Sequence, residues 1–237
     1  GAMRLFSRTR YIIRVFWHFR YYVLCTGLAM AFWDTGLIKP FRFFVVLVHE
    51  VNHAAAALLT GGEVVEIRTH WNESGHTLAR GGIYPLISAA GYVGSALIGS
   101  LLIYTGLYPQ SQRFVLLCIG AVCMGMTMAY TPLGGVDFFL GIGGGFVLCA
   151  MAIKSQRMAR VGSVWMGVML CLYSLFDFRT DLWYHAERTD AGLLSAYWGL
   201  DPLQVPYLAY LIALSWVLLS LACMYRAMRA LVLKRKS

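Results

Sequence analysis

Phe41-Arg42-Phe43-Phe44-Val45-Val46-Leu47-Val48-His49-Glu50-Val51-Asn52-His53-Ala54-Ala55-Ala56-Ala57-Leu58-Leu59 is the stretch on which the fold turns. Around its centre the run is apolar or small, and at about 20 residues it is long enough to cross a hydrocarbon core as one helix. The centre reads His-Glu-x-x-His. Two imidazoles four positions apart share one helical face, with Cβ atoms about 5–6 Å apart, so one metal ion can bind both. Glu50 lies one residue round the helix, where it can accept a proton from a metal-activated water. Ionisable groups at membrane depth are expensive to keep there, which gives this pattern a functional meaning by default.

The rest of the chain supports a membrane setting. Of its 237 residues 59% are hydrophobic and only 13% charged, and the mean hydropathy is +0.63. A soluble domain of that length is not so apolar. No internal repeat or low-complexity linker divides it, so residues 3–237 read as a single integral-membrane domain. Gly1-Ala2 ahead of Met3 reads as a tag scar. Arg4, Arg8, Arg10, Arg14 and Arg20 precede a run long enough to stay as an anchor, so no cleavable signal peptide is expected. The net charge of +9 sits at the chain ends and in short connections. That distribution suits anionic headgroups of a lipid bilayer and argues against a nucleic-acid partner. The six cysteines lie in apolar stretches with no C-x-x-C pair, so neither a disulfide framework nor a thiolate zinc site is expected.

Working outward, candidate spans fall at 19–38, 41–60, 84–106, 113–131, 135–153, 160–178 and 204–226. The fold class is therefore an all-α polytopic membrane protein of six or seven segments. Lys39-Pro40 separates the first two and predicts a helical hairpin. Residues 61–82 differ in being polar and bounded by glycines. Val64 to Thr69 and His76 to Arg80 flank Asn72-Glu73-Ser74-Gly75, which predicts a small β-hairpin just after the His-Glu-x-x-His helix. Residues 178–201 are rich in charge and predict an interfacial segment with a short helix near Ala191 to Trp198. Strict alternation through seven spans sets Lys154-Ser155-Gln156-Arg157 against the positive-inside tendency. A re-entrant Gly-rich segment at 135–153 would remove that conflict.

Catalytic zinc usually has three protein ligands and one open position, so a partner for His49 and His53 must be found. His18 sits among arginines and aromatics, and His70 and His76 lie in the hairpin, where solvated roles suit them. Asp34 and Asp201 border helix ends, where capping explains them. Asp137 is different. It follows Thr131-Pro132-Leu133-Gly134-Gly135-Val136, a break beside a membrane span where a carboxylate can point inward. Asp137 is the expected third ligand, with Asp177 and Asp190 as alternatives.

The chain resembles the intramembrane site-2 protease family (peptidase family M50), and more closely its compact M50B-like branch. The resemblance runs from Phe44 through His49-Glu50-Val51-Asn52-His53-Ala54 to Gly61-Gly62. It continues in Gly75-His76-Thr77 and in Gly91-Tyr92-Val93-Gly94-Ser95-Ala96-Leu97. The family's later motif, N-x-x-P-x-x-x-x-D-G, carries the Asp that completes its zinc site, and Pro132 and Asp137 keep the Pro-x-x-x-x-Asp spacing. The motif's Asn falls on Ala129 and its final Gly on Phe138, while Asn52 stands where a small residue is common.

The resemblance implies a zinc metalloendopeptidase, with Zn²⁺ held by His49, His53 and Asp137 and Glu50 as the catalytic base. It implies hydrolysis in or beside the transmembrane segment of a membrane-protein substrate, as in regulated intramembrane proteolysis, and a setting in a bacterial inner membrane. Ala129 favours a competing reading, a zinc-binding homologue that acts as a scaffold without hydrolysing anything. A metal transporter would need further ligands staged along a path, and a di-iron lipid-modifying enzyme would need several His clusters. The chain has only six histidines.

Overall fold

The computed structural model describes residues 19–184 and 189–234, with backbone alone for 177–184 and 234. Among them are a first helix α1 (19–31) and then α2 Lys39–Leu59, β1 Glu63–Thr69, β2 Gly75–Arg80, α3 Tyr84–Tyr104 and α4 Pro109–Tyr130. After these come α5 Val136–Lys154, α6 Gln156–Tyr184, α7 Asp190–Tyr197 and α8 Pro206–Lys234. Six of the helices are long and apolar enough to cross a membrane: α2, α3 with the 3₁₀ turn Thr105–Leu107, α4, α5, α6 up to Phe176, and α8 up to Leu233.

Helix α2 begins with Pro40 in its first turn, where a missing N–H costs nothing. It ends at Thr60 and Gly61-Gly62. Gly61 adopts φ +82°, and the Gly62 N–H closes the last turn by donating to the Ala57 carbonyl at 2.8 Å. Helices α2 and α6 form the centre, each with 67% of its apolar window buried, against 22% for α4 and α8. Phe44, Leu47, Val48 and Val51 of α2 pack with Val164, Met169 and Leu170 of α6, Leu102 of α3 and Leu116 of α4. The outer helices turn Phe114, Met128 and Leu211 outward, which only a lipid environment makes inexpensive.

The expected β-hairpin is present, and its placement positions the site. The strands pair antiparallel from Glu63↔Arg80 to Thr69↔Gly75, with one irregularity between Val64 and Glu66. The turn closes through the His70 N–H donating to the Ser74 carbonyl at 2.7 Å, and Glu73 takes φ +68°. Glu73 Oε1 is 2.8 Å from Arg42 Nη2, and Lys39 lies over the Trp71 ring at 5.0 Å. Because Gly62 is at the far end of α2, these contacts lay the hairpin back along that helix, with its turn against the first turn of α2.

Two expectations differ from the structure. The 19–38 span is not one helix: after residue 31 the chain passes through turns at 32–38, which hold Asp34 and Gly36, and α2 starts at Lys39-Pro40. The 135–153 segment is not re-entrant, since α5 is a continuous apolar helix of 19 residues. If each of the six apolar helices crosses once, the α5–α6 connection and the end of α8 fall at the same end as the start of α2. The basic α5–α6 connection thus lies at the end where α2 starts, without a break in α5.

Candidate metal centre

The α2 helix presents His49, Glu50 and His53 inward, each less than 10% exposed. His53 Nδ1 is 2.6 Å from the Ile87 carbonyl oxygen of α3. A carbonyl only accepts, so Nδ1 carries the proton and the Nε2 lone pair faces inward. His53 Nε2 lies 3.0 Å from His49 Nε2. The third corner is Asp190, whose Oδ2 is 3.2 Å from each of those nitrogens.

Asp190 reaches this point from the first turn of α7. Thr189 caps that helix by accepting from the Gly192 N–H at 3.0 Å, and Ser88 of α3 donates to the Asp190 carbonyl at 2.8 Å. Ala191 and Leu194 fix the other face of α7 against Ile212 and Ala213 of α8. Burial alone would raise the Asp190 carboxyl, but His53 and His49, when their imidazoles carry the extra proton, outweigh it and hold the group well below the ordinary carboxylate range.

Donor separations of 3.0, 3.2 and 3.2 Å fit a tetrahedral ion. Bonds of about 2.0 Å give a tetrahedral edge of about 3.3 Å. Gly91 of α3 faces the same point. A Cβ added there would collide with Nε2 of both His49 and His53, so the glycine keeps open the volume between the ligands. His49 Nδ1 is buried without a hydrogen-bond partner among the described residues; the ring stands edge-on to Tyr92 at 4.8 Å and to Tyr173 at 6.5 Å. Two imidazoles and a carboxylate are a donor set that suits zinc. Among the described residues His49, His53 and Asp190 are the His, Cys, Asp or Glu side chains whose ligand atoms come together in this way, within 4.8 Å of one another.

A family model, Peptidase M50B-like, matches residues 22–227. The chain belongs to that family. No curated protein and no solved structure matches it. Family membership and six apolar helices make it an integral, multi-pass membrane protein of the site-2 protease type.

In this M50B-like protein Asp137, expected as the third ligand, is placed elsewhere. It lies in the first turn of α5, with Oδ2 2.9 Å from Arg68 Nε of β1. The N–H does not point along that line, so this is a close charge contact rather than an aligned hydrogen bond. The physical reason is local: a helix N-terminus favours a carboxylate there, and the hairpin brings Arg68 to meet it. Ala129, at the motif's Asn position, is exposed on the last turn of α4. Thus neither end of the Pro-x-x-x-x-Asp segment joins the cluster.

The Asp177 side chain lies outside the described residues, as do His18 and His185. His76 Nε2 is 3.7 Å from Glu66 Oε1 in the hairpin, away from the cluster. Asn52 Nδ2 donates to Ser95 Oγ at 3.2 Å, which ties α2 to α3. The residues that sequence reasoning passed over are Ile87 and Ser88 of α3, together with the Thr189 cap; Gly91 stood in the resemblance without a link to the two histidines. Thr189-Asp190 ahead of an apolar run is a helix-start signal, but nothing in it names a partner 141 residues away.

Proposed function

We propose that this chain is a zinc-dependent intramembrane endopeptidase that hydrolyses peptide bonds in or beside the transmembrane segment of a membrane-protein substrate. The observation that carries the reading is the convergence of His49 Nε2, His53 Nε2 and Asp190 Oδ2, with His49, His53 and the neighbouring Glu50 buried and Asp190 partly so. These three residues would hold the ion. Bound there, zinc supplies a Lewis acid for the scissile carbonyl and lowers the pKa of water towards ~7.

The chain's own groups do the rest. Glu50 takes the proton of the attacking water and delivers it to the leaving amine. Ile87 and Ser88 hold His53 and Asp190 in their ligating orientations. A helical substrate must unwind before its carbonyls can be reached. Among the described residues the sheet has two strands, so each keeps one edge without a strand partner there, and an unwound segment can add in the β-augmentation mode. The setting that best suits such a protein is a bacterial inner membrane, with regulated intramembrane proteolysis as its role.

The test uses purified full-length protein in detergent, with zinc counted by elemental analysis and cleavage followed on a peptide carrying one transmembrane segment. His49→Ala and His53→Ala should lose bound zinc. Glu50→Gln should keep one zinc per chain while cleavage falls by about 10²–10⁴-fold, the range for a general acid–base group. A zinc-loaded wild type without cleavage, matched by Glu50→Gln in cells, would favour the scaffold reading instead.

A further inference from the structure

We infer that Thr77 is the positioning residue for the Glu50 carboxylate, acting together with Gly75 from the same face of β2. The inference rests on the hydrolytic reading above, because it gives the hairpin a duty towards the proposed base.

Thr77 Oγ1 lies 2.8 Å from Glu50 Oε2 and 2.9 Å from the Glu50 carbonyl oxygen. A hydroxyl has one proton to give, and the charged acceptor makes the stronger bond. Gly75 takes the other side of the carboxylate. A Cβ built on Gly75 would stand 2.5 Å from Glu50 Oε1 and 2.8 Å from its Cγ, so only a residue without a side chain lets the strand come this close. Gly75 does not adopt positive φ; its role here is the approach, not an unusual backbone conformation.

Residues two apart in a strand face the same way. Gly75 and Thr77 therefore turn together onto α2, while His76 between them is exposed. The two contacts restrain a side chain with three rotatable bonds that is only 5% exposed. Their spacing is fixed by the pairs Thr69↔Gly75 and Ile67↔Thr77, and the turn is tied to α2 by Arg42 and Glu73. A base must be held within about 0.5 Å of its productive place to work well. In this molecule the hairpin holds it from one side of α2, while α3 and α7 hold the ligands from the other.

The deciding experiment measures kcat and KM separately for Thr77→Val, Thr77→Ser and Gly75→Ala in zinc-loaded, full-length protein, with zinc content and thermal midpoint taken on the same samples. The probe is the peptide with one transmembrane segment used above. Thr77→Val should lower kcat by about 10–100-fold, as expected of a misplaced catalytic group, with KM and zinc content unchanged. Thr77→Ser should restore kcat to near the wild-type value, and Gly75→Ala should lower it like Thr77→Val. A Thr77→Val enzyme with wild-type kcat overturns the inference, as does a Thr77→Ser enzyme no better than Thr77→Val. Wild-type cleavage by Glu50→Gln would instead remove Glu50 as the base, and zinc-loaded wild type without cleavage would remove the hydrolytic reading itself.

Discussion

Asp137 and Asp190 begin from the same local situation and end in different chemistry. Each sits in the first turn of a helix, Asp137 behind Gly134-Gly135 and Asp190 behind the Thr189 cap, where the helix dipole favours a carboxylate. Asp137 then meets Arg68, and Asp190 meets His49 and His53. A guanidinium is always charged and has no lone pair to offer, so the first meeting yields a neutralised pair that joins the hairpin to α5. Imidazoles can be neutral with a lone pair directed inward, so the second offers a candidate ligand set. The chemistry of a membrane carboxylate is decided by the elements that pack against it, and less by the residues beside it in sequence.

The comparison can be broken most severely at Gly91. Gly91→Ala places a methyl group against both ligating nitrogens, and the purified variant should contain almost no zinc by elemental analysis. Full zinc occupancy in that variant would mean that the ion does not sit between His49 and His53. A smaller effect separates the other carboxylate. Asp137→Ala should keep its zinc yet lose about 1–3 kcal/mol of stability, read as a lower thermal midpoint, because a buried charge partner is removed. Arg68 is about a third exposed, so it partly regains water and the loss stays below that of a fully buried pair. The smallest change comes from Ser88→Ala, which deletes one hydrogen bond to the Asp190 backbone. Competition with a zinc chelator should show an affinity about 10-fold weaker, the lower end for supporting contacts of metal ligands.

Much of this architecture could be read in the chain itself. The apolar run around His49 and His53 specified a buried helix, and Gly61-Gly62 its end. Alternation around Asn72-Glu73-Ser74-Gly75 specified the hairpin, and the apolar residues after Thr189 the short α7. Those features are local, and local periodicity reports them well. The α1 region departed because the turns that hold Asp34 and Gly36 divide what composition alone counts as one span. The candidate third ligand was hidden for another reason. Pro132 and Asp137 matched a familiar spacing, whereas Asp190 becomes a neighbour of His49 only once α3, α7 and α8 have packed. The link between Thr77 and Glu50 was similarly silent, since a Gly-x-Thr alternation states which strand face it occupies but not what lies opposite.

The most direct test of the central claim is the zinc content of Asp190→Ala set beside that of Asp137→Ala, each purified as full-length protein and measured per chain by elemental analysis. The account predicts that Asp190→Ala loses its zinc and Asp137→Ala retains one ion per chain. Full occupancy in Asp190→Ala together with loss in Asp137→Ala would contradict it.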